Sequence, residues 1–305
     1  MTELSATLDE VSDLVASGRK VTLLLGAGCS ASAGIPTAAG IVAILLERYP
    51  FLRGDPDQSY QNLMRRLQTG ERQKFIESIC ENAAIKLNWA HIAIAQLMSK
   101  NIVDRVLTTN FDPLLARAAA MARQFPAVYD LAATKHFQKG LVASRAVFHL
   151  HGQHTGFVQV HTREDFAEVE AKLSAAVDSA IGERVWIVVG YSGSNDPLIE
   201  IMAKQDFPFG LYWIAFKDQT PTRDVRERLL CKAESRVIYG HDADSFFIEL
   251  ARRTDAFPPR YVAKPFSFLK ELTDQLCPFR PEKSELGTDF LASMRRLVDE
   301  AISQI

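Results

Sequence analysis

Apolar residues recur along this chain in two patterns. The first is a short run closed by turn-forming residues: VTLLL at 21–25, with similar runs VDRVL at 103–107, AVFHL at 146–150, VWIVV at 185–189, LYWIAF at 211–216 and RVIY at 236–239. A shorter candidate lies at 127–131. Runs of this length and density belong to strands buried on both faces. The second is helical spacing, as in Leu8, Val11, Leu14 and Val15 within 5–18, and again over 113–123, 165–181 and 223–232. Helices alternating with strands predict an α/β fold, a mainly parallel sheet covered by helices on both faces.

The interval 41–100 breaks this rhythm. It holds helical pattern at 41–48, 61–67, 71–79 and 89–98, and no strand. One crossover needs a single helix, so a helical insertion packed over the sheet edge is expected. At Phe257 the chain turns to proline and aromatics, FPPRYVAKPF. This divides it into a main domain at 1–256 and a C-terminal wrapping segment at 257–305. The closing stretch 289–305 is amphipathic and suits a docked helix or one leading into a further module.

Composition adds exclusions. Of 305 residues 47% are hydrophobic and 24% charged, a globular balance, and the formal charge of −2 gives no direct nucleic-acid signal. Arg223, Arg226 and Arg228 read as a solvated helix face. The first residues, MTELSATLDE, lack the basic start and apolar run of a signal peptide. No apolar run reaches the roughly 20 residues of a membrane span. A cytoplasmic location is therefore expected. Cys29, Cys80, Cys231 and Cys277 are scattered without a C-x-x-C pair, so no structural zinc ribbon and no metal site is expected.

Four segments at strand ends carry the candidate chemistry. Gly26-Ala27-Gly28-Cys29-Ser30-Ala31 has the G-x-G-x-x-(G/A) spacing between strand and helix. There, glycine lets backbone approach a pyrophosphate and the helix start offers free N–H groups; the bland alternative is a tight turn. The ribose-binding acid of an ordinary dehydrogenase is missing, since Glu47 falls in helical pattern. Thr108-Thr109-Asn110-Phe111-Asp112-Pro113 offers the amide of Asn110 to a ribose hydroxyl or water. Asp112 suits a carboxamide or a helix start. In His149-Leu150-His151-Gly152 the two histidines close a strand and are expected to face opposite ways, one of them leaving the strand. A histidine at a strand end can serve as general base near neutral pH, or simply be a satisfied structural residue. Gly190-Tyr191-Ser192-Gly193-Ser194-Asn195-Asp196-Pro197 is a second glycine- and hydroxyl-rich loop, or a capping turn before a helix at 197–203.

In order and spacing, GAGCSASAGIP (26–36), TTNFD (108–112), HG (151–152) and GYS (190–192) together resemble the sirtuin superfamily. The resemblance implies a Rossmann-like NAD-binding domain with a smaller inserted module. It places Gly26, Ala27, Gly28 and Ser30 on the phosphates of NAD, Asn110 and Asp112 around the nicotinamide and its ribose, and Gly190 and Ser192 at the adenosine side. It makes His151 the general base and gives His149 no role. The missing four-cysteine ribbon, and Thr37-Ala38-Ala39-Gly40 after Pro36, depart from the deacylases. The pattern is closer to prokaryotic sirtuin-like domains of antiphage defence, which hydrolyse NAD to starve an infected cell.

The expected activity is thus an NAD glycohydrolase with Asn110 and His151 catalytic, NAD as substrate and no metal. A homo-oligomer is expected, with an activating partner protein or fused sensor module. The alternatives are a non-catalytic module sensing NAD or an ADP-ribose derivative and, third, a deacylase or ADP-ribosyltransferase.

Overall fold

The computed structural model describes residues 4–194, 196–276 and 290–303, so Asn195, Cys277 and the outer ends of the 289–305 stretch lie outside the described residues. Seven strands form a single sheet: β1 (Lys20–Leu25), β2 (Val103–Thr108), β3 (Ala127–Asp130), β4 (Ala146–His149), β5 (Arg184–Val189), β6 (Leu211–Phe216) and β7 (Ser235–His241). All pairings are parallel, in the order β3-β4-β2-β1-β5-β6-β7. The fold is the expected Rossmann-like α/β sheet with helices on both sides. The central strands β1, β2 and β5 are buried almost end to end, which is why β1 and β5 run largely apolar without alternation, while β2 also buries Asp104, paired with Arg184 at 2.8 Å.

Helices α1 (Leu8–Ala16), α2 (Ala38–Arg48), α3 (Tyr60–Arg66), α4 (Thr69–Cys80) and α5 (Trp89–Ser99) precede β2, apart from β1 itself. α6 (Leu114–Met121) follows β2, α7 (Arg163–Ser179) links β4 to β5, and α8 (Leu198–Ala203) follows β5. The expected insertion at about 41–100 contains two kinds of helix. α5 is buried along its length and packs on α6 and β2, making it the crossover helix of the sheet. α2, α3 and α4 instead close around their own core of Leu45, Leu52, Leu63, Met64, Phe75 and Ile76.

The expected helix at 223–232 is a single α turn, α9 (Arg223–Val225), running into a π-helical turn (Arg226–Leu230). α10 (Ala243–Arg253) packs its Phe246, Phe247, Leu250 and Ala251 inward and contacts α5. Capping boxes start α1 at Thr7, α7 at Thr162 and α10 at Asp242, each pairing side chain and backbone with the third helical residue.

The chain divides into two compact units, one ending at Ala256 and one starting at Phe257. The second contains the helices α11 (Arg260–Ala263), α12 (Pro265–Asp274) and α13 (Phe290–Ser303). In it α12 packs on α13, with Lys270 Nζ 2.6 Å from Asp299 Oδ1 and Arg295 donating to the Thr273 carbonyl. Among the described residues no single helix is long and apolar enough to cross a membrane.

Candidate active site

The four segments sit at the carboxyl ends of four neighbouring strands, β4, β2, β1 and β5. Register sets them in line: His149 lies opposite Thr108, Thr108 opposite Leu25, and Leu25 opposite Val189. The ladder continues past the strand ends, with Leu150 N–H donating to Thr108 O (2.8 Å), Thr109 N–H to Leu25 O (3.1 Å) and Gly26 N–H to Val189 O (3.0 Å). Strand order reverses across β1, which makes this edge the topological switch point where ligands of open α/β sheets bind.

The two glycine-rich loops touch backbone to backbone. Gly28 N–H donates to Gly190 O at 2.8 Å. A Cβ on Gly190, whose φ is +67°, would fall 2.3 Å from Cys29 N, and one on Gly26 would fall 2.5 Å from Tyr191 Cα. Glycine is required at this contact whether or not a pyrophosphate approaches. The helix after Gly26 is 3₁₀ (Ala27–Ala33) rather than α, ended by Gly34 at φ 97°. Ala27 and Gly28 are half-buried; Ser192 is exposed, its hydroxyl accepting from Ser194 N–H within its own turn.

A buried polar relay joins the first and second segments. Asn110 Nδ2 donates to Gly26 O (3.1 Å) and to Ser30 Oγ (3.0 Å), and Ser30 Oγ donates to Asp112 Oδ2 (2.8 Å). Asp112 Oδ1 accepts from Leu114 N–H at the start of α6, so the helix-start role of Asp112 is realised. Ser30 is wholly buried and its hydroxyl serves this relay. Both bonds of the Asn110 side chain use its NH₂, which leaves Oδ1 for a ligand or water. Asn88, which the sequence reading passed over, donates to Cys29 O and Ser32 Oγ, both at 2.8 Å, and fixes the first loop to α5. Its position before an apolar helical run is a helix-cap signal that also marks it from sequence.

The two histidines of the third segment separate. His149 is buried, and its Nδ1–H donates to Asn110 O at 3.1 Å. Burial pushes its pKa down, so it is neutral at pH 7. His149 thus holds the main chain of Asn110, a role that the sequence did not assign to it. His151 is 15% exposed at its side chain, and its Nε2 is sealed from solvent with no hydrogen bond. Gly152 (φ +92°) turns the chain after it; a Cβ there would meet Val158 O at 2.3 Å. Val160 N–H closes the loop onto His151 O at 2.9 Å.

Phe111 turns outward to the insertion and lies 5.1 Å from the His161 ring. His161 Nε2–H donates to Gln159 Oε1 (3.1 Å) and its Nδ1 accepts from Tyr60 of α3 (2.8 Å). Burial pushes the His161 pKa down to about 3. Cys29 and Cys80 are buried thiols, with burial pushing Cys80 up to about 12 and Cys29 further in the same direction. Neither is a nucleophile at neutral pH. No group of three or more His, Cys, Asp or Glu side chains clusters for a metal among the described residues.

Residues 104–238 match the SIR2-like domain family. No curated protein matches the chain by sequence. Among solved structures, the crystal structure of a Sir2 homologue–NAD complex is similar over 84% of this chain and 98% of that one, at 21% identity and a TM-score of 0.51, which establishes the shared fold. Two other Sir2 structures, one of them a variant homologue bound to ADP-ribose, overlap with TM-scores of 0.49 at 19% and 21% identity, covering 83% and 81% of this chain and 98% and 96% of theirs.

Proposed function

We propose that this chain, a sirtuin-like protein, is an NAD glycohydrolase that releases nicotinamide and ADP-ribose. One observation carries the reading. Asn110 and His151 follow the ends of adjacent strands at the switch point, and each keeps an atom uncommitted, Oδ1 of Asn110 and the imidazole of His151. A solved Sir2 homologue that shares this fold is an NAD complex, which supports the same ligand here.

In the proposed step the bond between ribose C1′ and the nicotinamide nitrogen breaks, its electron pair leaving with neutral nicotinamide. Asn110 Oδ1 orients a water on the opposite ribose face. As the water oxygen bonds to C1′, its proton passes to His151 and then to solvent. The step is metal-independent. The loops around Gly26, Ala27 and Gly28 and around Gly190 and Ser192 form the floor for phosphate and adenosine. Ser30 and Asp112 act within it by holding Asn110.

The lack of any C-x-x-C pair in the sequence argues against acyl-lysine peptide binding and favours hydrolysis. The biological setting we propose is antiphage defence by NAD depletion in the cytoplasm, in a homo-oligomer gated by a partner protein or fused sensor module. Nicotinamide release measured beside the thermal shift with NAD tests the reading. Stabilisation by NAD without release would make the chain a binding module, and neither effect would remove NAD from the account.

A further inference from the structure

His151 Nε2 does not face a neutral wall. It lies 3.7 Å from Asp196 Oδ2, and Asp196 is itself only 14% exposed at its side chain. The other carboxylate oxygen, Oδ1, accepts from Leu198 N–H at 2.9 Å, which pins the carboxylate to the start of α8. A second buried polar atom borders the same group. The Tyr191 hydroxyl is sealed from solvent without a well-formed hydrogen bond, and burial and then the Asp196 charge hold its phenol protonated. Two buried groups without hydrogen bonds, an imidazole nitrogen and a phenol, therefore flank one fixed carboxylate. Leaving such groups unsatisfied costs about 1–3 kcal/mol each, and they gather without cause only rarely.

We propose that Asp196 is a positioning residue for His151. Its Oδ2 takes the Nε2–H of the imidazole, and the Tyr191 hydroxyl donates to the same carboxylate. This fixes the ring in the Nε2–H tautomer and leaves Nδ1 to accept the proton of the attacking water. A carboxylate on one ring nitrogen also favours the imidazolium formed when the other takes a proton. The GYS loop thus contributes to the reaction through the aspartate five residues beyond Tyr191, and the first four segments become one catalytic unit. The catalytic part of the proposal rests on the NAD-cleavage reading; the tautomer does not.

The test combines nitrogen NMR of ¹⁵N-histidine protein, with His151 assigned from His151→Ala, and kinetics of nicotinamide release. The wild-type ring is expected as the Nε2–H tautomer, with Asp196→Asn collapsing that signature toward a tautomer mixture. Asn keeps Oδ1 for Leu198; should that variant fail to fold, Asp196→Ser also keeps an acceptor there. Asp196→Asn should lower kcat at least about tenfold at unchanged KM and melting temperature, as for other groups that orient a working side chain. In the His151→Ala background it should have no further effect. An unaltered His151 spectrum in Asp196→Asn overturns the proposal, as do independent, multiplying losses in the double variant. A wild type that releases no nicotinamide removes the NAD-cleavage reading instead, and the ring tautomer still decides the pair.

Discussion

The contact between the two glycine-rich loops gives the most quantitative prediction. In Gly190→Ala the new methyl meets Cys29 N at 2.3 Å and Gly28 C at 2.7 Å, both main-chain atoms that no rotamer change can clear. The φ of +67° adds a left-handed cost. That conformational cost is about 1–2 kcal/mol for a non-glycine residue, and overpacking against backbone adds about 1–3 kcal/mol. Gly240→Ala is the matched control, because its φ of +86° carries the same backbone cost while nothing lies within 4 Å of its Cβ. The two variants gain the same unfolded-state entropy benefit, so their difference isolates the steric term. Urea unfolding should show Gly190→Ala about 1–3 kcal/mol less stable than Gly240→Ala. At about 2–4 °C per kcal/mol for a domain of this size, the gap in melting temperature is several degrees. NAD affinity should fall in Gly190→Ala beyond the loss of folded protein, because the loops must part. Equal stability of the two variants would refute the claim that the loops are held backbone to backbone.

Other consequences are as definite. Ser30→Ala removes the hydroxyl between Asn110 and Asp112 and leaves a buried carboxylate oxygen unpartnered; it should cost about 1–3 kcal/mol in urea unfolding and lower nicotinamide release, and an unchanged stability would contradict the relay. His161 stays neutral in the folded state down to about pH 3, whereas in the unfolded chain it takes up a proton below about pH 6.5. Its contribution is therefore complete above about pH 6.5 and declines by about 1.4 kcal/mol per pH unit as the pH falls toward 3. His161→Gln should flatten the fall in urea midpoint between pH 7 and pH 5, and an equally steep fall would show that His161 does not govern it. Acetyl-lysine peptides should not be deacylated in the presence of NAD, which mass spectrometry of the peptide decides; efficient deacylation would overturn the hydrolase assignment.

Much of this fold can be read from the sequence because its central strands are buried on both faces. VTLLL, VWIVV and LYWIAF leave no competing periodicity, and each begins or ends within a residue of the observed strand. α10 goes unread, although Asp242 and Ser245 form a capping box and Phe246, Phe247 and Leu250 follow at helical spacing. α5 reads as part of the insertion because helical pattern alone does not say what a helix packs against. At the site, the segments are visible but their division of labour is not. Glycine spacing suggests pyrophosphate, yet the nearest neighbours of Gly26 and Gly28 are Gly190 and Tyr191. Ser30 and Asp112 read as ligand contacts, and their hydrogen bond to each other, across 82 positions, is invisible in the sequence. The pairing of His151 with Asp196 joins positions 45 residues apart through the parallel alignment of β4 and β5 around β2 and β1, which no local spacing reveals.

The central claim is that Asn110 and His151 cleave NAD at this sheet edge. Its most direct test is the rate of nicotinamide release by wild type, Asn110→Ala and His151→Ala, each at matched folded fraction by melting temperature. The account predicts stoichiometric nicotinamide and ADP-ribose from wild type, and a loss of about 10²–10⁴ in rate for His151→Ala without a matching loss of stability. A comparable loss is expected for Asn110→Ala. Undiminished NAD cleavage by folded His151→Ala protein would contradict it.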